Sequence, residues 1–170
     1  RDPAVLEPLD VVVDVGGLYD PRRKRFDHHQ RGFFETVDGE PGKAAGPGEA
    51  TGRWRTKLSA SGLVYKHFGR RIVAHLAGLG DRDTELVWAE VYDRFLEAID
   101  GMDNGIEICD GTRRYKQGSD LPIRISRLNT RWNEASDHEE QQTRFEAASA
   151  LCGAEFLDVL SDVAEAWLPA

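Results

Sequence analysis

Three consecutive residues, Asp27, His28 and His29, have the side chains that metal chemistry requires, and Asp14 precedes Asp27 by 13 positions. Carboxylate oxygens and imidazole nitrogens are the usual protein ligands of Mn²⁺, Mg²⁺, Fe²⁺ and Zn²⁺. Asp14 lies at the end of an apolar run, where the ligand sites of open α/β sheets gather. The pattern predicts a divalent-metal site. The alternatives are a solvated pair of histidines and an ordinary turn aspartate after a strand.

A second acidic cluster, DGMDNG, places Asp100 and Asp103 at the end of a predicted helix. Carboxylates at a helix C-terminus oppose the helix dipole, so a compensating cation is favoured over a plain helix-end role. Asp103 precedes an Asn-Gly turn, from which a side chain can project into a cleft. Both aspartates are therefore candidates for the same metal site.

A basic run stands directly before the Asp-His-His cluster. Residues 20–31 carry five basic and two acidic side chains, net +3, in a chain of net charge −8. The basic residues are Arg22, Arg23, Lys24, Arg25 and Arg31. Guanidinium groups bind phosphate through paired hydrogen bonds. A cationic loop beside a metal site suits the hydrolysis of a phosphoester, and a solvated basic loop is the alternative.

The apolar patterns predict the elements that position these residues. The run DVVVDV at residues 10–15 predicts a strand buried on both faces of a parallel sheet. Helices are predicted from Ser59 or Ser61 to Gly78, from Asp81 or Asp83 to about Met102, and from about Asp137 to Leu168. The buried stripes are expected to be Trp88, Tyr92, Phe95, Ile99 and Met102 in the second helix, and Phe145, Ala148, Cys152, Phe156, Val159, Val163 and Trp167 in the third.

Composition bounds the class of protein. The chain has 170 residues, of which 40% are hydrophobic and 31% charged, as in a globular domain. No apolar run approaches the roughly 20 residues that cross a bilayer, so no membrane partner is expected. Cys109 and Cys152 have neither disulfide-framework nor zinc-finger spacing. Global acidity argues against a simple electrostatic nucleic-acid binder, but not against an enzyme that grips phosphate locally.

The chain is expected to form one domain. Residues 1–110 would make the metal-binding core, interrupted by a flexible linker at 39–52 that holds five Gly and two Pro. Residues 111–170 would add a helical extension. The chain begins without Met and ends directly after a helical pattern, so we expect a piece of a longer protein.

Six segments, in order, resemble the melanocyte-proliferating-gene exonuclease family, also labelled metal-dependent protein hydrolase and related to the DHH phosphoesterases. They are DVGGLYDPRR at 14–23, FDHHQR at 26–31, TKLSASGLVY at 56–65, DGMDNGI at 100–106, RLN at 127–129 and WLPA at 167–170. The resemblance implies an α/β fold: a DHH-phosphoesterase-like parallel sheet flanked by helices, truncated, with a helix-rich C-terminal portion. It also implies two divalent ions, Mn²⁺ first and Mg²⁺ as the alternative.

The resemblance assigns roles to the residues singled out above. Asp14 would match the aspartate that bridges both ions, and His28 would be a direct ligand. His29 would contact the substrate phosphate, and Asp27 would orient an imidazole, which makes these two the catalytic candidates. Asp103 would match the aspartate of the fourth family motif, with Asp100 as the alternative. Ser59 and Ser61 would meet phosphate at a helix start.

The implied function is 3′–5′ exonucleolytic cleavage of RNA, inside the cell, in mitochondria and nucleus. The first family motif, a His followed by an Asp-Glu pair, is expected upstream of residue 1, and a C-terminal half beyond residue 170. Without them, weak metal binding and little activity are expected. A phosphoesterase acting on small molecules and a non-catalytic binding or assembly module with a vestigial metal site are the alternatives. The oligomeric state is left open.

Overall fold

The computed structural model describes residues 2–39 and 52–169. The chain divides into two compact units, Arg1–Ile108 and Cys109–Ala170. Each unit is described by itself, and the expectation that both belong to one domain stays a prediction. All but the two ends of the expected linker at 39–52 lies outside the described residues. No helix in the described ranges combines the length and the apolar character needed to cross a membrane.

The first unit combines short strands with three longer helical segments. Its elements are α1 (Pro3–Leu6), β1 (Val12–Val13), β2 (Tyr19–Asp20), a 3₁₀ turn (Pro21–Arg23), β3 (Arg25–Phe26), α2 (Ala60–Ala77), α3 (Asp81–Val91), a π-helical turn (Tyr92–Leu96) and α4 (Glu97–Asp103). The α/β class is therefore confirmed, whereas the DHH-like architecture stays a prediction.

The sheet is mixed, in the order β1-β3-β2. β1 pairs with β3 in parallel, with Val12 opposite Arg25, and β2 pairs with β3 antiparallel. The antiparallel pair is a correction to the all-parallel expectation. It arises because the 3₁₀ turn and Lys24, whose φ is +53°, return the chain at once beside β2. β1 is also less covered than predicted, because Val12 is buried but Val13 is 42% exposed.

α2 begins and ends where its sequence predicts. Ser59 is the N-cap, and its side chain accepts a hydrogen bond from the Gly62 N–H. Gly78 ends the helix with φ +65°, a conformation that costs glycine little. Leu63 and Val73 are fully buried on the inner face.

The second predicted helix is continuous but contains a π turn, which corrects its predicted stripe. Trp88 and Tyr92 are buried as expected. Leu96 and Asp100 are the next buried residues along the helix, whereas Met102, expected in the stripe, is 42% exposed. A π turn closes hydrogen bonds from i to i+5, so it adds a residue and rotates the rest of the helix. The buried positions consequently recur every four residues and include an aspartate.

Gly62 is a position where the fold excludes a side chain. A Cβ there would overlap the carboxylate of the buried Asp100. We expect Gly62→Ala to lower the free energy of unfolding by about 3 kcal/mol, because the carboxylate has no room to move. Gly101→Ala is the matched control, since a Cβ at Gly101 meets nothing within 4 Å. Urea unfolding should show Gly101→Ala unchanged or stabilised by up to about 1 kcal/mol. Equal effects at the two positions would contradict the packing described here.

The second unit is helical, with α5 (Leu121–Ser126) and α6 (His138–Asp162), which a π turn (Val163–Trp167) extends. The start of α6 is confirmed, because the Asp137 side chain accepts from the Glu140 N–H as N-cap. The predicted stripe is only partly buried. Val163 is inaccessible, but Phe145 is 68% exposed. Within this unit the six residues of α5 are too few to cover the whole length of α6.

Candidate metal centre

His28 lies at the centre of the candidate site. It follows β3 and is 3% exposed. Its Nε2 atom lies 3.4 Å from Oδ1 of Asp14 and 3.3 Å from Oδ2 of Asp103. Within the described residues, neither ring nitrogen of His28 makes a hydrogen bond. The structure therefore brings together three of the predicted ligands around one imidazole nitrogen.

The parallel pairing of β1 with β3 explains how two of these residues meet. Asp14 directly follows β1, and Asp27 and His28 follow β3, so all three leave the same edge of the sheet. The Asp14 N–H donates to the Phe26 carbonyl at 3.0 Å and extends the pairing by one residue. Asp14 has φ +65°, a left-handed conformation that is uncommon outside glycine and clusters at functional sites.

The Asp27 carboxylate accepts hydrogen bonds from the backbone on both sides of the site, in the turn after β1 and in the loop after β3. Its Oδ2 accepts from the Gly17 N–H at 2.7 Å, and its Oδ1 accepts from the His29 N–H at 2.9 Å. Burial by itself raises the pKa of Asp27, but the hydrogen bonds from His29 and Gly17 outweigh it, so the pKa is lowered. The ionised carboxylate therefore holds the turn after β1 against the loop after β3.

His29 is oriented by the same carboxylate. Its Nδ1 lies 2.7 Å from Oδ1 of Asp27 and 3.9 Å from Oδ1 of Asp14, and its side chain is 55% exposed. With Asp27 ionised, the ring donates through Nδ1, which leaves Nε2 for an outside group. The geometry agrees with the expected roles of an oriented imidazole and an orienting aspartate, which remain predictions.

The donor set fits a divalent cation. One ligand atom each from Asp14, His28 and His29 lie within 4.8 Å of one another, and Asp103 adds a carboxylate beside His28. A buried polar atom without a hydrogen bond requires an explanation, and a cation between His28 and the two carboxylates would provide one. Carboxylate ligands suit Mn²⁺ or Mg²⁺, and the set contains no thiolate that would favour a softer metal.

The basic run is not gathered into one phosphate-facing surface. Arg25 is buried, and its guanidinium donates to backbone carbonyls of Leu6, Glu7, Leu9 and Arg23. Arg23 forms a two-fold hydrogen bond with the Glu7 carboxylate at 2.8 and 3.0 Å. Both guanidinium groups thus fasten α1 to the sheet. Arg22, Lys24 and Arg31 are exposed, and a phosphate contact by any of the five stays a prediction.

The other predicted residues form a separate buried cluster at the start of α2. Asp100 is inaccessible to solvent and accepts hydrogen bonds from Ser59 and Tyr92. Burial raises the pKa of Asp100 to about 6, against the opposing effect of these hydrogen bonds. Ser61 is exposed, and its hydroxyl oxygen lies 2.7 Å from that of Ser59. In the described contacts, Asp100 faces α2 rather than His28.

Sequence reasoning missed Gly17, Tyr92 and Asn104 as supports of the site. Gly16 and Gly17 have φ of +99° and +68°, so this turn brings the Gly17 N–H to Asp27. A Gly-Gly pair directly after a predicted strand is a sequence signal that another group comes close to the backbone there. Tyr92 is predicted to be buried, but no signal indicates that its hydroxyl meets Asp100, because Asp100 is turned inward by the π turn.

Comparison with known proteins decides the family. The family model MYG1 exonuclease, described as Uncharacterised protein family (UPF0160), matches residues 1–170. The chain belongs to this family. It is 43% identical over 176 residues to MYG1 exonuclease of Homo sapiens, covering 100% of the chain and 43% of that protein. It is 40% identical over 171 residues to the MYG1 protein of Dictyostelium discoideum, covering 99% and 48%.

The chain spans less than half the length of these MYG1 relatives. The family membership expected from the six ordered segments is confirmed. No solved structure matches the chain.

Proposed function

We propose that this chain carries part of a divalent-metal-dependent phosphodiesterase site, and that the protein is a 3′–5′ RNA exonuclease using Mn²⁺ or Mg²⁺. The observation that carries the proposal is the approach of Asp14 and Asp103 to Nε2 of the buried His28, which makes no hydrogen bond in the described part of the chain. The exonuclease name of the human relative supports a nucleic-acid substrate.

Asp14, His28 and Asp103 would hold the metal. A divalent cation supplies Lewis acidity toward phosphate oxygens and toward water. The chain's own contribution is orientation, because His28 is held by burial and Asp14 by the last backbone hydrogen bond between β1 and β3. With Asp27 holding the proton on Nδ1 of His29, Nε2 would accept a proton and, once protonated, donate a hydrogen bond to a phosphate oxygen.

The test uses the full-length polypeptide that carries this chain, with a 5′-labelled single-stranded RNA and Mn²⁺. Progressively shortened labelled products that require Mn²⁺ are the expected result. Asp14→Asn should reduce the rate by a factor of at least about 1,000, since it removes a charged ligand. Asp10→Asn, in the turn before β1, is the matched control and should cleave at the wild-type rate.

Three outcomes would contradict the proposal. They are the absence of metal-dependent cleavage, wild-type cleavage by Asp14→Asn, and cleavage of small phosphoesters in place of RNA. Progressively shortened products that keep the label of a 3′-labelled RNA would show removal from the 5′ end. That result would contradict only the proposed 3′–5′ direction.

A further inference from the structure

We propose that Asp100 is a positioning residue, which clamps the end of α4 to the start of α2 and so fixes Asp103 against His28. The proposal rests on the metal site proposed above and assigns a role to residues that lie outside it. Asp103 reaches His28 from a helix end, whereas Asp14 reaches it from a strand end. A helix end needs a restraint of its own to meet the sheet at a set distance.

The first part of the clamp is the Asp100 carboxylate. Its Oδ1 accepts from the backbone N–H of Ser59 at 2.9 Å and from the Ser59 hydroxyl at 2.6 Å. Its Oδ2 accepts from the Tyr92 hydroxyl at 2.9 Å. Asp100 is completely buried, so these donors replace water around the charge. Gly62 leaves the carboxylate room at the first turn of α2, because any Cβ there would overlap it.

The second part of the clamp is the Asn104 side chain. Its Nδ2 donates to the Lys57 carbonyl and to the Asp100 carbonyl, each at 2.9 Å. The first bond crosses to the segment that leads into α2, and the second closes the last turn of α4. Two independent ties therefore connect residues 57–59 with residues 100–104.

Asp103 lies between these two ties. It is in the last turn of α4, which Gly105 ends with φ +67° and the Ile106 N–H closes on the Gly101 carbonyl at 2.8 Å. The helix dipole repels a carboxylate at this end. The position of Asp103 therefore depends on the two ties that flank it. A displacement of about 1 Å would separate its oxygen from a ligand position, where distances are set to within about 0.2 Å.

Two other roles for Asp100 make different predictions. As a direct metal ligand, it would have a carboxylate oxygen facing His28, but both of its oxygens accept hydrogen bonds from Ser59 or Tyr92. As a purely stabilising group, it would change the free energy of unfolding and leave the metal affinity of the folded protein alone. The clamp predicts a loss of affinity in protein that remains folded.

The experiment measures the Mn²⁺ affinity of the full-length polypeptide that carries this chain by isothermal titration calorimetry, with urea unfolding of each variant in parallel. Asn104→Ala is the main variant, because Asn104 is half-buried and its loss leaves the α2 cap intact. Asp100→Asn is the second. We expect each to weaken Mn²⁺ binding about 10- to 100-fold, the usual effect of removing a support of a metal ligand. Val87→Ala is the control, since it empties a fully buried position on α3 that takes part in neither tie.

Val87→Ala should lose stability but bind Mn²⁺ within about twofold of wild type. If Asn104→Ala and Asp100→Asn both remain folded and bind Mn²⁺ as tightly as wild type, the clamp is wrong, whereas the proposed metal site is unaffected. The same holds if Val87→Ala weakens binding as much as they do, since affinity would then follow stability. If the wild-type full-length polypeptide binds no Mn²⁺, both the proposed metal site and the clamp are wrong.

Discussion

Replacing His28 with alanine is expected to weaken Mn²⁺ binding by at least about a hundredfold, because it removes the nitrogen on which two carboxylates converge. The carboxylates of Asp14 and Asp103 would lose the nitrogen that both of them approach. Stability without metal should change little, since the lost packing is offset by removal of a buried imidazole that makes no hydrogen bond in the described structure. Calorimetric titration with Mn²⁺ measures the first effect, and urea unfolding the second.

His75→Ala is the matched control for this prediction. His75 lies exposed in the last turn of α2, so its loss should leave the Mn²⁺ affinity within about twofold of wild type. Equal affinities for His28→Ala and the wild-type chain would show that the imidazole does not hold the metal. A similar loss in His75→Ala would show that Mn²⁺ binds histidines at the surface.

The largest effect on stability is expected at the buried ion pair between Lys66 and Glu35. Lys66 Nζ lies 3.0 Å from Oε2 of Glu35, and it donates to the carbonyls of Thr36 and Gly39 at 2.7 and 2.6 Å. The two side chains are 6% and 2% exposed. Lys66→Ala would leave a buried carboxylate without its cation, and we expect a loss of about 3–5 kcal/mol in the free energy of unfolding.

A double substitution separates two contributions to the free energy of unfolding: the loss caused by an unpaired buried charge, and the net stabilisation by the ion pair. Lys66→Met with Glu35→Leu removes both charges and should recover most of the loss. Glu7→Ala is the control, since its pair with Arg23 is exposed, and its loss should cost less than about 1 kcal/mol. Urea unfolding measures all of them. If Lys66→Ala lowers the free energy of unfolding no more than Glu7→Ala does, the described burial of the Lys66–Glu35 pair is wrong.

The convergence of the candidate ligands could be expected from the sequence because each stands at the end of an element. Asp14 ends an apolar run, His28 follows by a short connection, and Asp103 precedes a turn signal. The caps of α2 were equally visible, because Ser59 and Gly78 act through local backbone geometry. These features depend on neighbours in sequence. Metal binding itself stays a prediction.

The features that sequence reasoning could not supply depend on contacts distant in sequence. Arg25 looks like a phosphate ligand beside its basic neighbours, but the carbonyls at the end of α1 surround its guanidinium. Asp100 is a candidate metal ligand in the sequence, but the π turn rotates it onto Ser59. A π turn has no distinct sequence pattern, and a charge run does not show which of its members are buried.

The central claim is that one imidazole nitrogen from this loop coordinates a divalent cation together with carboxylates. Electron spin echo envelope modulation of the chain loaded with Mn²⁺ tests it directly, because the method detects nitrogen bonded to the metal. We predict nitrogen modulation in the wild-type chain and its loss in His28→Ala. Bound Mn²⁺ without nitrogen modulation, or modulation that persists in His28→Ala, would contradict the account.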